Sequence, residues 1–257
     1  MNKEIQQFEQ TNNAGEAIRL NRFLSEAGYC SRREADRLIE AGRVTVDGET
    51  AVMGQKVFPD QKICVEGELL TREEEQILLA VNKPVGVVCT TDRRWGDRTI
   101  YELIDYPKRV FSIGRLDKNS EGLLLMTNCG DLVNKIMRPG NAHEKEYLVT
   151  VDREMGTDFV RQMSEGVYLK ELEVRTLPCR IVPLGKKRFR IILTQGLNRQ
   201  IRRMCEALGF RVTALKRVRV MNIELGDLKP GEYRPVSREE YTKMMRLLQD
   251  SKNPGNC

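Results

Sequence analysis

Apolar and polar positions alternate with two different periods along this chain, and the first helical period appears in "IRLNRFLSEAG". Leu20, Phe23, Leu24 and Ala27 fall at i, i+3, i+4 and i+7, which predicts a short helix with one apolar stripe that Gly28 can end. In "SRREADRLIEAG" a second helix is expected at once. Ser31 and Glu34 have capping-box spacing, Ala35, Leu38 and Ile39 supply the apolar face, and Gly42 stops it. The period then changes to two. Val44 and Val46 alternate with polar residues ahead of Asp47-Gly48, a dipeptide that favours the tight turn of a β-hairpin.

Further along, "ILLAVNKPVGVVCTT" reads as an apolar strand broken at Lys83-Pro84 and Gly86. Strand patterns recur in "FSIGRL", "GLLLMTN", "KEYLVTV" and "RFRIILT", and helical ones in "DLVNKIM", "TDFVRQMSEG", "NRQIRRMCEALG" and "SREEYTKMMRLLQ". Their irregular interleaving predicts an α+β domain on a mixed, mostly antiparallel sheet flanked by helices. The expected organisation is a disordered lead over residues 1–17, a small module over 18–65, a charged linker over 66–75, a large domain over 76–250 and a tail over 251–257. The small module, helix–helix–hairpin, resembles the S-four type RNA-binding domain. In such a module Arg32 and Arg33 at the start of the second helix, and Arg43 beyond its end, are candidate RNA contacts.

The 257 residues, 40% of them hydrophobic, suffice for a large core beside a small one. No run of apolar residues is long enough to span a membrane, and the polar N-terminus lacks a signal-peptide pattern, so a cytoplasmic protein is expected. Seven scattered cysteines without a C-x-x-C pair read as reduced thiols. The single histidine, His143, argues against a Ser-His-Asp triad and a His-rich metal cage, so chemistry falls to carboxylates, Arg, Lys, Tyr or Cys. The net charge of +6 is unevenly spread: from Arg180 to Arg219 there are twelve Lys or Arg against one acid, Glu206. A solvated basic face is one reading. The predominance of arginine favours the other, a polyanionic partner contacted through its phosphates.

Against that basic background "GRLDKNSEGLLLMTN" holds a carboxylate, Asp117, in a turn bracketed by Gly114 and Gly122. Alone it reads first as an Asx-turn residue. In "KEYLVTV", Tyr147 is either core or a flat face for a stacked base. Lys145 is either solvated or close to a phosphate or to the acid. "GLNRQIRRMCEALGF" clusters Arg199, Arg202 and Arg203 in the first turns of a helix that Asn198 is placed to cap, over a stripe of Ile201, Met204, Cys205 and Leu208. An arginine paired with Asp117 would hold that acid ionised.

Taken together and in order, "KPVGVVCT", "GRLDKNSEGLLLMTNCGDLVNKIM", "KEYLVTV" and "GLNRQIRRMCEALGF", after an S-four type module, resemble the RsuA/RluB/RluE/RluF family of ribosomal RNA pseudouridine synthases. The resemblance covers about residues 18–245. Within the family, "LVNKIMRPGNAHEKEYLVTV" and "ALKRVRVMNIELGDLKPGEYR" point to a branch that modifies large-subunit (23S) rRNA. It implies an isomerase that needs no cofactor or metal and flips its target uridine from the RNA. Asp117 corresponds to the essential acid, Arg115 to the arginine of the same motif, Tyr147 to the active-site tyrosine and Arg202 to the arginine that pairs with the acid. A monomer acting on 23S rRNA is expected, with a tRNA stem-loop as a further candidate substrate. The rival reading is a non-catalytic RNA-binding or ribosome-assembly protein, in which Asp117 is only a turn residue.

Overall fold

The computed structural model describes residues 8–9, 17–70, 75–91 and 96–249. It separates into two compact units, Met1–Ile77 with Tyr106–Phe111 and Thr127–Gly130, and Leu78–Asp105 with Ser112–Met126 and Asp131–Cys257.

In the first unit, α1 (Leu20–Glu26) and α2 (Arg32–Glu40) follow the predicted stripes. Leu20, Phe23 and Leu24 of α1 and Ala35, Leu38 and Ile39 of α2 are buried in one core with Val44, Val46, Val57, Ile63 and Val65. Only half of the expected capping box forms. Ser31 Oγ accepts from Glu34 N at 3.2 Å, but the Glu34 carboxylate turns to Arg37 at 2.8 Å, an i,i+3 ion pair that takes it from the helix start. The hairpin β1 (Val44–Val46)/β2 (Glu49–Thr50) turns at Asp47 and Gly48, both at positive φ. With β3 (Ile63–Val65) and β4 (Glu68–Leu69) it forms a four-stranded antiparallel sheet in the order β2-β1-β3-β4.

Two expectations about connecting segments need correcting. Within the proposed linker 66–75, β4 belongs to this sheet because its backbone completes the ladder against β3, Leu69 opposite Cys64; residues 71–74 lie outside the described ones. Most of the 1–17 lead and all of the 251–257 tail are likewise outside, but Phe8–Glu9 of the lead pairs antiparallel with Glu75–Gln76.

The second unit is built on a nine-stranded mixed sheet. Seven of its strands, β5 (Leu78–Lys83), β6 (Glu121–Thr127), β7 (Lys145–Val151), β8 (Arg180–Gly185), β9 (Arg188–Leu193), β10 (Val212–Val220) and β11 (Tyr233–Pro235), run in the order β8-β9-β7-β10-β6-β5-β11, and two short strands pair with β6 and β10 beside this path. Pairing is antiparallel for β7 with β9 and β10, β8 with β9, and β5 with β11, and parallel between β6 and β10. The basic run is therefore largely strand: β9 exposes Arg188 and Arg190 while burying Phe189, Ile191 and Leu193. Helices α3 (Thr157–Glu165) and α4 (Gln200–Ala207) cover that apolar face, packing Phe159, Met163, Ile201 and Met204 against Val149, Phe189 and Ile191. A third helix, α5 (Arg238–Leu247), starts with a complete capping box between Ser237 and Glu240. No helix among the described residues is long and apolar enough to cross a membrane.

Candidate active site

The turn that carries Asp117 is fixed by its own main chain. Ser120 N donates to the Asp117 carbonyl at 3.0 Å and Gly86 N to the Lys118 carbonyl at 2.8 Å. The Asn119 carbonyl accepts from the Arg202 guanidinium at 2.6 Å, and the Ser120 carbonyl from Lys83 Nζ at 2.8 Å. All four carbonyls from 117 to 120 are thus occupied, whereas the half-buried Asp117 carboxylate has no hydrogen bond or ion pair among the described residues. It forms no Asx turn. The turn leads into β6 through Gly122, where φ is +106° and a Cβ would lie 2.2 Å from the Arg217 carbonyl oxygen; only glycine lets β6 run parallel to β10 at this point.

Arg202 differs from the expectation of an ion pair with the acid. Its guanidinium is hydrogen-bonded to the carbonyls of Asn119 and Val212 (2.6 and 3.2 Å) and lies 3.4 Å from Ser120 Oγ, leaving Nε buried without a partner. The backbone acceptors hold it, and its link to Asp117 is electrostatic attraction without a hydrogen bond. Burial lowers the affinity of this guanidinium for its proton, the charge on Arg199 adds to that effect, and Asp117 opposes it. The helix start also differs. Arg199, at φ 51°, occupies the N-cap in place of Asn198, and no side chain caps the helix. Asn198 instead receives Arg203, which also pairs with Glu171. The apolar stripe of α4 is as expected, with Ile201, Met204 and Cys205 buried and Leu208 partly so.

Tyr147 sits on β7 opposite Arg217 of β10, and Arg217 in turn stands opposite Gly122 of β6. The tyrosine is half-buried against the core under α3 and α4. Lys145, two residues earlier and so on the same face, is not the solvated lysine of one reading: it is 6% exposed and its Nζ donates to the His143 carbonyl. Burial, with the Arg217 charge, pulls its pKa down to about 8.

Two residues of this centre were not singled out from sequence. Lys83 is fully buried at the end of β5, where it donates to the Pro84 and Ser120 carbonyls, and burial lowers its pKa while Cys89 and Asp117 oppose the shift. Arg217 is 3% exposed and donates through Nε to the Leu123 carbonyl. The available signals were a lysine closing an apolar strand at a proline and an arginine on the inward parity of "LKRVRV". Lys83, Lys145, Arg202 and Arg217 are all the buried charged residues among those described, and none forms an ion pair. Two of these cations, Lys83 and Arg202, lie close enough to Asp117 to feel its charge. Among the described residues Arg115 is exposed without a partner, as are Arg32 and Arg33, while Arg43 pairs with Glu66 at 2.5 Å.

The chain belongs to the RNA pseudouridylate synthase family, whose model matches residues 77–207, and an S4 domain model matches residues 18–52. It is similar to the dual-specificity RNA pseudouridine synthase RluF of Escherichia coli (strain K12), at 48% identity over 91% of this chain and 81% of the relative. It is 37% identical to an uncharacterized RNA pseudouridine synthase of Aquifex aeolicus, over 90% of this chain and 95% of the relative. A solved structure described as a pseudouridylate synthase covers 88% of this chain and 99% of its own, with 32% identity and a TM-score of 0.66. The chain is an isomerase that converts uridine in RNA to pseudouridine, and the non-catalytic reading is set aside.

Proposed function

We propose that the chain isomerises a uridine of 23S ribosomal RNA, with Asp117 as the essential acid, and that a tRNA stem-loop is a second substrate. The naming of the similar Escherichia coli protein as dual-specificity supports two RNA substrates. The observation that carries the role of Asp117 is the saturation of the turn's four carbonyls beside a carboxylate left without a partner among the described residues. A turn built only for structure would use that carboxylate as an acceptor.

Pseudouridine formation breaks the C1′–N1 bond, turns the uracil and joins C1′ to C5, which loses a proton while N1 gains one. The uridine must first leave the RNA stack, at a cost of a few kcal/mol. Phosphate contacts from Arg32, Arg33 and Arg43 of the first unit, and from Arg115, Arg199 and Arg203 of the second, offset it. The extruded uracil stacks on Tyr147. Asp117 acts at C1′ or at the 2′ proton of the ribose, both of which require the ionised carboxylate, and Arg202 positions it by holding the Asn119 carbonyl. Isomerisation calls for no external group, so no cofactor is assigned. We place the enzyme in the cytoplasm as a monomer.

Replacing Asp117 by Ala and mapping pseudouridine in 23S rRNA by carbodiimide-dependent primer extension tests the assignment. The variant is expected to bind RNA and form none. An active Asp117→Ala protein overturns the role of the acid, and a wild-type protein that modifies tRNA but no 23S transcript overturns the substrate.

A further inference from the structure

Lys145 and Arg217 are two cations in the protein interior, and neither is paired with an acid among the described residues. They flank Tyr147, Lys145 from two residues back on the same face of β7 and Arg217 from directly across on β10. Neither forms an ion pair, and one terminal nitrogen of Arg217, Nη2, is buried with no hydrogen-bond partner. The carboxylates nearest in sequence, Glu144 and Glu146, alternate to the other side of β7, where Arg219 binds both at 2.9 Å and Arg190 binds Glu146 at 3.2 Å. The other titratable groups nearby are His143, just upstream of Lys145, and Lys83, which repels Arg217 and itself attracts Asp117 and Glu121; neither of those two acids forms an ion pair with Lys145 or Arg217 among the described residues. Buried charges are ordinarily paired, so the missing anion is to be sought in the substrate. A backbone phosphate does not fit that role, because cations 6% and 3% exposed do not present themselves to the outside of an RNA strand.

We propose that Lys145 and Arg217 form a preorganised counter-charge for the uracil anion released when the glycosidic bond breaks. The proposal rests on the reading above, in which the flipped base lies on Tyr147. As the C1′–N1 bond breaks, its electron pair leaves with the uracil, which becomes a monoanion with charge on N1, O2 and O4. The deficit at C1′ is met either by a bond from the Asp117 carboxylate or by loss of the 2′ proton to it. The negative charge persists while the ring turns and is discharged when C5 bonds to C1′; C5 then gives up its proton and N1 takes one up. Fixed positive charge on either side of the stacking tyrosine, in a site of low dielectric, stabilises the anion without stabilising the neutral base equally.

Single-turnover rates of tritium release from RNA containing 5-tritiated uridine, measured across about pH 6.5 to 9.5, separate charge from structure. A 23S transcript that the wild-type protein modifies serves as substrate, with wild type, Lys145→Arg and Lys145→Met compared. Wild type is expected to slow as pH rises through about 8, where Lys145 loses its proton. Lys145→Arg is expected to remain active without that fall. Lys145→Met is expected to bind the RNA as wild type does and to be about a hundredfold slower below pH 8, the loss typical of removing one electrostatic stabiliser, with the gap closing at higher pH as wild-type Lys145 loses its proton. Equal rates for the Arg and Met variants below pH 8, a Met variant within threefold of wild type, or a pH-dependent fall retained by Lys145→Arg overturns the proposal. If circular dichroism shows the Met variant unfolded, the Lys145→Arg profile alone decides. Any of these outcomes leaves the role of Asp117 untouched, since that depends on the Asp117→Ala protein.

Discussion

Lys145→Met should make the protein more stable. The lysine is buried without an acid, and its pKa falls from 10.5 to about 8. Folding therefore opposes its protonation, and at ~1.4 kcal/mol per pH unit the penalty at neutral pH is about 3 kcal/mol. Methionine follows the same aliphatic path without the charge. Loss of the hydrogen bond to the His143 carbonyl costs about 1 kcal/mol. The net expectation at pH 7 is a gain of about 2 kcal/mol, again with pH-unit conversion as the basis. The sign with pH follows from the depressed pKa. The unfolded chain binds the proton more readily, so the penalty is fully present below pH 8 and fades as pH rises towards 10.5, where the advantage of the variant disappears. Urea unfolding of both proteins at pH 7 and pH 10 gives the two differences. A variant with a lower midpoint at pH 7, or a difference that does not shrink at pH 10, refutes the picture of an uncompensated buried cation.

Other substitutions probe other links. Arg202→Met frees the Asn119 carbonyl and loosens the acid's turn, so kcat on rRNA should fall by about a hundredfold or more with RNA affinity nearly unchanged; weakened binding with normal kcat would contradict a positioning role. Gly122→Ala puts a Cβ 2.2 Å from the Arg217 carbonyl oxygen at φ +106° and should cost about 3 kcal/mol or more, read as a lowered thermal midpoint. Arg32→Ala with Arg33→Ala should weaken RNA binding and flatten its salt dependence, by about 1 in log–log slope per arginine, and leave single-turnover rates at saturating RNA intact.

Most of this architecture was legible because its elements are short and strongly patterned. The stripes of α1 and α2, the Asp47-Gly48 turn and the apolar "GLLLMT" strand each carry one period and one stop signal. Legibility failed where charge hid periodicity. "VTALKRVRV" reads as a basic run, yet it is β10, central in the sheet, and register shifts opposite β7 blur its alternation. The roles of Lys83 and Arg217 depend on contacts across 37 and 94 residues, to the Ser120 and Leu123 carbonyls, which local spacing does not report. The expected Arg202–Asp117 ion pair failed for a related reason. Main-chain acceptors at Asn119 and Val212 compete for a guanidinium, and no sequence pattern ranks a carbonyl against a carboxylate.

The turn at residues 117–120 is held through carbonyl oxygens, which every residue type possesses. Lys118 and Asn119 contribute those oxygens while their side chains stay exposed, and the Lys118 ammonium reaches only as far as Asp97. Neither side chain is needed to shape the loop that presents the acid. With Asp117 acting as proposed, positions 118 and 119 can therefore change in size and charge while the geometry of that carboxylate stays constant. On that reading, substrate preference and chemistry can vary independently although they occupy adjacent residues.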